Sequence, residues 1–211
     1  MEYFKNSAPL SDVIFDEDLK NTYNFNLRKN DISKQICTAI AYLHAQSNPI
    51  IHRDLKPENV LINLNGLVKI CDFGLSRFSI TIASLRTTVG SKIMGTIMYM
   101  APEILIDREE ASLKSEIWSL ACILWEIFNE NSIWEVNDQE ELEEKYRNKE
   151  VPSMINIPEE LQPCLQQCFS YESSYRPLAA DILNSINKSN ALSWICITDL
   201  RILIYDKLLF S

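Results

Sequence analysis

The sequence predicts a mainly α fold with small β-hairpins, on three observations. Apolar residues recur at helical spacing from Ile32 through Ile36 and Ile40 to Leu43. The segment from Ile117 to Phe128 is apolar on nearly every side, as a helix at the centre of a domain must be. Between them lie two short β-like runs, Val60-Leu61-Ile62 and Val68-Lys69-Ile70. The tetrapeptide Asn63-Leu64-Asn65-Gly66 that separates them has the chemistry of a hairpin turn.

Residues 1–30 are polar and mixed, with Asp16, Glu17 and Asp18 together. Asn30 and Asp31 stand where an N-cap would sit, so a first helix is expected from Ile32 to His44 or Ala45. Pro49-Ile50-Ile51 leads into a loop. Residues 76–98 are rich in Ser, Thr and Gly without a period and read as a long loop, a class that is usually functional beyond about 15 residues. Past Pro102 the chain turns helical, and Ile117, Leu120, Ala121, Leu124 and Phe128 form a stripe that Trp118 and Trp125 widen. Further helices are expected near 158–170 and 177–187. Leu161, Leu165, Cys168 and Phe169 share a face of the first, and Cys164 and Cys168, one turn apart, read as core. The acidic stretch 135–150 reads as a solvated helix face rather than a dock for a basic substrate.

Composition narrows the function classes. The chain has 211 residues, 46% of them apolar, enough for one domain or one large lobe with a real core. Twenty basic residues against 29 acidic ones leave a net charge of −9, which argues against nucleic acid as a partner, since phosphate binding needs clustered Lys and Arg. Six scattered cysteines without a CxxC pair, and only two histidines, argue against zinc and for reduced thiols in a cytoplasmic protein. Met1-Glu2 opens no signal peptide. The apolar tail from Leu192 to Phe210 is interrupted by Asp199, Arg201, Asp206 and Lys207, so no membrane span is expected.

Three motifs carry the chemistry: His52-Arg53-Asp54-Leu55-Lys56-Pro57-Glu58-Asn59, then Asp72-Phe73-Gly74, then Ala101-Pro102-Glu103. Each alone is weak, because short strings recur by chance. In this order, with a hairpin between the first two, they are specific. The chain therefore resembles the eukaryotic protein kinases, over roughly residues 1–188 and over the C-terminal lobe only, with 189–211 left as a tail of unassigned role.

The resemblance implies transfer of the ATP γ-phosphate to a protein hydroxyl, a reaction that needs positioning and charge stabilisation more than covalent help. Asp54 would take or orient the hydroxyl proton, and Lys56 would neutralise the moving phosphate. Asn59 and Asp72 are the implied Mg²⁺ ligands, placed on opposite arms of the hairpin. Leu61 resembles the residue beneath adenine, and Met1-Glu2-Tyr3 resembles the hinge that lines the nucleotide. His52 and Phe73 resemble the stack that links the lobes. Glu103 and Arg176 resemble a buried pair that anchors the activation segment. Glu116 and Ala121 stand where the family usually has Asp and Gly, and Glu116 is expected to bond the catalytic-loop backbone with one methylene more.

Lys56 and Gly95-Thr96-Ile97-Met98-Tyr99-Met100 look like serine/threonine kinases, and Thr96 is expected to hydrogen-bond Asp54 and Lys56. The stretch Thr87 to Thr96 is most similar to tyrosine-kinase-like and receptor-associated serine/threonine kinases. Thr87, Thr88 and Ser91 are candidate phosphosites whose phosphate could pair with Arg53.

The family's N-terminal lobe supplies a Gly-rich phosphate loop, a strand Lys and a helix Glu. The four glycines here are 66, 74, 90 and 95, so no G-x-G-x-x-G exists. The expectation is a chain with little activity alone, whose lobe-facing apolar surface invites a partner. Either the chain is part of an active kinase, or it is a non-catalytic scaffold. A small-molecule phosphotransferase shares the Asp and Asn logic, but Thr96 and Ala101-Pro102-Glu103 argue for a peptide-binding loop.

Overall fold

The computed structural model describes residues 4–73 and 95–189. The main departure from the sequence reading is near the N-terminus, where residues read only as polar and mixed form a strand and two short helices. β1 (Ser7–Pro9) runs into α1 (Leu10–Phe15), and α2 (Glu17–Thr22) follows. Leu10, Val13 and Ile14 are fully buried, so three apolar positions anchor a segment whose other residues are polar. Asp16 caps α2 by accepting the Leu19 amide at 2.9 Å.

The first long helix, α3 (Phe25–His44), begins seven residues earlier than its apolar period suggests. Asn30 and Asp31, expected at its N-cap, lie inside it. The chain instead enters the helix through Asn24 in the left-handed region (φ 51°), a conformation Asn tolerates. Phe25 is buried at the true start, and Ile32, Ile36, Ile40 and Leu43 make the inner face as expected.

β2 (Val60–Asn63) and β3 (Val68–Ile70) form the anticipated hairpin, with Val60 opposite Ile70 and Ile62 opposite Val68. β1 adds to the other edge of β2, with Ser7 opposite Asn63 and Pro9 opposite Leu61. The result is one three-stranded antiparallel sheet in the order β1-β2-β3. The turn is held by its own chemistry and by α3. Asn63 Oδ1 accepts the amides of Asn65 and Leu67, both at 3.0 Å. Gln35 of α3 donates to Gly66 O (2.8 Å) and accepts Val68 N (3.0 Å). Arg28, also on α3, donates to Leu64 O at 2.9 Å. Gly66 sits at φ 81° with the Arg28 guanidinium against it, so a side chain there would be strained and crowded at once.

The rest is helical: α4 (Pro102–Leu105), α5 (Leu113–Asn129), α6 (Gln139–Arg147), α7 (Gln162–Cys168) and α8 (Ala179–Ser189). α5 is the central helix the sequence predicts, started by a capping box between Ser112 and Ser115. Trp118, in its second turn, is fully buried with Tyr146, Phe169 and Tyr171 edge-on to it at 5.3–5.5 Å. The acidic stretch becomes α6, which buries Leu142 and Tyr146 and leaves Glu140, Glu141 and Glu144 in solvent. α8 packs along α3 and α7. Among the described residues no helix is long and apolar enough to cross a membrane.

Candidate active site

The site grows from the two ends of the β2–β3 hairpin. Asn59 ends a 3-10 turn (Pro57–Asn59) just before β2, and Asp72 follows β3 by two residues. The Cys71 amide donates to Asn59 O at 2.9 Å, which continues the hairpin ladder outward. The hairpin thus brings Asn59 and Asp72, thirteen apart in sequence, to the same end of the β2–β3 ladder.

Asp54 sits on the loop between α3 and the hairpin. Its Oδ2 accepts Asn59 Nδ2 at 2.9 Å and lies 3.1 Å from Lys56 Nζ. Asn59 Nδ2 also donates to Asp54 O at 2.7 Å. Both contacts require the nitrogen of the Asn59 amide to point at Asp54, so its oxygen is the end available to a cation. Lys56 reaches across the cleft and donates to Thr96 Oγ1 at 2.7 Å. The expected Thr96–Lys56 bond is therefore present, and Lys56 carries the link from Thr96 to Asp54. The side chains of Asp54 and Lys56 are 9% and 16% exposed, which strengthens their pairing while leaving an edge open to substrate.

The loop is held from beneath. Glu116, in the first turn of α5, is buried and accepts the amides of His52 (2.5 Å) and Arg53 (3.1 Å) with one oxygen. Its other oxygen meets His44 Nε2 at 2.6 Å. The extra methylene of Glu does not prevent the expected backbone bonds, and His44 at the end of α3 takes up the second oxygen. The sequence reading missed His44. The available signal was a buried carboxylate that needs more than two amides. His52 is fully buried, its Nε2 bonds Cys71 O at 2.7 Å and its Nδ1 accepts the Asp54 amide at 3.3 Å. A carbonyl acceptor on one nitrogen and an amide donor on the other fix the Nε2–H tautomer. The His52 and Phe73 rings lie 4.6 Å apart at 59°, so the two motifs touch as expected.

Two residues of this loop pair take left-handed backbone without being glycine, Arg53 (φ 70°) and Asp72 (φ 61°). Such conformations cost free energy and persist where surrounding bonds enforce them, as the Glu116 contacts do at Arg53. Leu61 is the single half-buried position of β2.

A second charged pair closes the substrate-side segment. Arg176 donates through both terminal nitrogens to Glu103 at 2.6 and 2.7 Å. It also donates to Ser170 O and Lys114 O, and its guanidinium lies 5.1 Å from the Trp118 ring. Lys114 in turn donates to Arg176 O. The pair inferred from resemblance is thus present and buried. Tyr99, between Thr96 and Glu103, donates to Glu126 Oε2 at 2.9 Å, and Ile133 N donates to Oε1 at 3.0 Å. Burial pushes the Glu126 carboxyl up to about 7, against the two bonds it accepts. The sequence reading did not single out Tyr99 or Glu126. Met1, Glu2, Tyr3, Thr87, Thr88, Ser91 and the tail from 190 onward lie outside the described residues.

The donors present fit a hard divalent cation. The Asn59 oxygen and the Asp72 carboxylate are hard oxygen donors, the type Mg²⁺ takes from a protein alongside phosphate oxygens.

Comparison with known proteins agrees with this geometry. A model of the protein kinase domain matches residues 1–186. The chain is 33% identical over 161 residues to the serine/threonine-protein kinase BCK1/SLK1/SSP31 of Saccharomyces cerevisiae, covering 72% of this chain and 10% of that protein. It is 31% identical over 160 residues to the MAP kinase kinase kinase mkh1 of Schizosaccharomyces pombe, covering 72% and 14%. With the stress-activated protein kinase alpha of Dictyostelium discoideum it shares 36% identity over 174 residues, covering 74% and 26%. The chain thus spans between about a tenth and a quarter of the length of these relatives. On the family match and the motif geometry together, the chain belongs to the eukaryotic protein kinases, of serine/threonine type.

Proposed function

We propose that these residues form the C-terminal-lobe half of a site that moves the γ-phosphate of ATP to a serine or threonine hydroxyl of a protein. The observation that carries this is the bonded set Asn59–Asp54–Lys56–Thr96, which joins the catalytic loop to the segment expected to seat a peptide. Asp54 takes the hydroxyl proton through the carboxylate edge that Asn59 and Lys56 leave open. Lys56 offers positive charge to the phosphate in transit, and Thr96 holds Lys56 in place. Asn59 and Asp72 would hold Mg²⁺, which offsets the phosphate charge when bound. Leu61 supplies an apolar floor for the adenine, and Met1, Glu2 and Tyr3 belong to the same nucleotide site. Thr87, Thr88 and Ser91 are the proposed phosphosites, with Arg53 as their counter-charge. The domain reading of 1–188 with a separate tail, the tyrosine-kinase-like grouping and a cytoplasmic location belong to the same proposal.

The chain has no G-x-G-x-x-G to clamp the phosphates, so activity of the 211 residues alone is expected to be close to background. The test compares this chain with a chimera carrying the family's glycine-rich N-terminal lobe. Each is incubated with Mg²⁺, γ-labelled ATP and a generic protein substrate. The chimera should label Ser and Thr, and Asp54→Asn should reduce labelling by about 10²-fold or more. A folded chimera that labels equally well with Asp54→Asn overturns the role given to Asp54, and a folded chimera that does not label at all leaves the interaction-module reading. Strong labelling by the chain alone overturns the claim that it needs the missing clamp.

A further inference from the structure

Away from the catalytic loop, the segment 148–157 that leads from α6 towards α7 carries apolar residues out into solvent. Val151 and Ile155 are 50% and 82% exposed. Met154 is only partly buried, and so is Trp125 of α5, which the sequence reads as widening the buried stripe of that helix. The exposure is not slack in the chain. Ser153 O accepts the Trp125 indole N–H at 2.6 Å, and Asn156 Nδ2 donates to Asn129 Oδ1 of α5 at 3.2 Å. These two bonds fasten the loop to α5 on both sides of Met154 and Ile155. The Ile157 amide donates to Met154 O at 3.2 Å, which closes a turn with Ile155 at its second position. Turns favour Pro, Asn, Asp, Ser or Gly, and an Ile held in solvent is the opposite choice. Single exposed apolar residues are ordinary, whereas a fixed cluster of them marks a contact site.

We propose that this loop and the Trp125 edge of α5 form a docking surface for a partner protein, through a segment that carries apolar residues on one side and Lys or Arg around them. The apolar cluster supplies the seat, and the charge around it names the occupant. Residues 135–160 hold nine acidic and three basic residues, so this short stretch carries −6 of the chain's net −9. Two of the bases are neutralised within it, Lys145 by Glu150 at 2.9 Å and Arg147 by Glu143 at 2.6 Å. Glu140 and Glu144 on the outer face of α6, and Glu159 and Glu160 beyond the loop, are exposed and make no ion pair among the described residues. The last turn of α6 leads straight into the apolar cluster, with Glu150 N donating to Lys145 O at 3.0 Å. Acidity by itself reads as a solvated helix face. The cluster at its end changes that reading, because solvation gives no reason to fix an Ile in water.

Charge complementarity also selects among occupants. A second copy of this chain would bring the same −6 against itself. The chain's own tail, 190–211, has two acidic and two basic residues and so no positive excess. A segment with clustered Lys and Arg gains on both counts. Burial of its apolar side supplies affinity, while the acidic rim steers its approach and rejects acidic competitors. No step of the proposed phosphoryl transfer uses this surface, so its test needs no nucleotide and stands apart from the catalytic reading.

The test titrates the full chain against a labelled peptide of Leu and Lys, ordered so that the Leu residues share one helical face, and follows binding by fluorescence anisotropy. A scrambled peptide of the same composition keeps the charge and loses the apolar face. The ordered peptide should bind at least ~10-fold more tightly than the scrambled one. Ile155→Asn should weaken its binding by at least ~10-fold without lowering Tm, since the side chain it replaces is in solvent. Glu140→Lys combined with Glu144→Lys should weaken binding at low salt and make little difference at high salt, as expected of steering charges. Leu27→Asn, at an 88% exposed Leu on α3, should change nothing. No binding of the ordered peptide, equal binding of the two peptides, or binding untouched by Ile155→Asn or by the charge reversal at low salt overturns the proposal. Self-association in sedimentation that Ile155→Asn abolishes gives the surface to a second copy and overturns it too.

Discussion

Two ion pairs of this molecule look alike on paper and differ in their surroundings. Lys56 and Asp54 meet at 3.1 Å, with side chains 16% and 9% exposed. Arg176 and Glu103 meet through two bonds at 2.6 and 2.7 Å, with the Arg side chain wholly buried. Around the first pair the partners among the described residues are Asn59 and Thr96, part of each side chain stays exposed, and the loop carries strained backbone at Arg53. Around the second, carbonyls and the Trp118 ring fill the remaining directions. On the function proposed for Asp54 and Lys56, a pair used for chemistry must stay partly unsatisfied so that substrate can complete it. A pair built for structure must be finished before substrate arrives.

The largest effect that could break this contrast is on stability at the finished pair. Glu103→Ala leaves the Arg176 charge buried without its carboxylate and should cost about 3–5 kcal/mol. For a chain of this size that lowers Tm by on the order of 10 °C, measured by calorimetry. Asp54→Asn should move Tm far less, because that pair is open to water on one side. Equal losses in the two variants would erase the distinction.

The next effect depends on pH. Glu126 is buried, with its carboxyl held up at about 7. Its proton is bound more tightly in the folded chain than in the unfolded one. Its stabilising contribution is therefore complete below the ordinary value of 4.5 and is lost as pH rises through about 7. On the order of 3 kcal/mol of stability should disappear across that window from this group. Glu126→Gln should flatten that part of the Tm-against-pH curve, while the bond to Ile133 N can remain. A curve of unchanged slope in Glu126→Gln would mean that the carboxyl is not held up by burial. Because Tyr99 hangs from this carboxylate, the window also bears on the segment between Thr96 and Glu103.

How much of this was legible in the sequence follows from the range of the signals. The hairpin, α5 and the motif residues were legible because their cues are local: alternating apolar runs, a turn with Asn and Gly, contiguous motif strings. The Glu103–Arg176 pair spans 73 residues and was legible only through resemblance. β1, α1 and α2 were not legible, since three buried apolar residues among polar neighbours set no period over so short a stretch. The start of α3 was misplaced because Asn30 and Asp31 have cap chemistry, yet Phe25 is buried further upstream and tertiary burial overrode the local cue. His44 and Glu126 were missed because a partner across the fold defines each of them.

Glu116 joins the two regions, and it gives the smallest and sharpest test. It lies on α5 two residues before Trp118, yet its oxygens hold the catalytic loop through His52 N and Arg53 N. Removing it with Glu116→Ala uncaps two amides and the His44 ring. The variant also no longer buries a carboxylate, which offsets part of the loss, so about 1–2 kcal/mol is expected. Glu116→Asp separates the two jobs. The shorter side chain can keep the loop amides but cannot also span to His44, so it should retain most of the stability. A double-mutant cycle between Glu116→Ala and His44→Ala should give a coupling of about 0.5–1 kcal/mol, and that coupling should vanish when the cycle starts from Glu116→Asp. If Glu116→Asp instead behaves like Glu116→Ala, the loop depends on the full Glu–His span, and the longer side chain here is a requirement of the loop rather than a tolerated change.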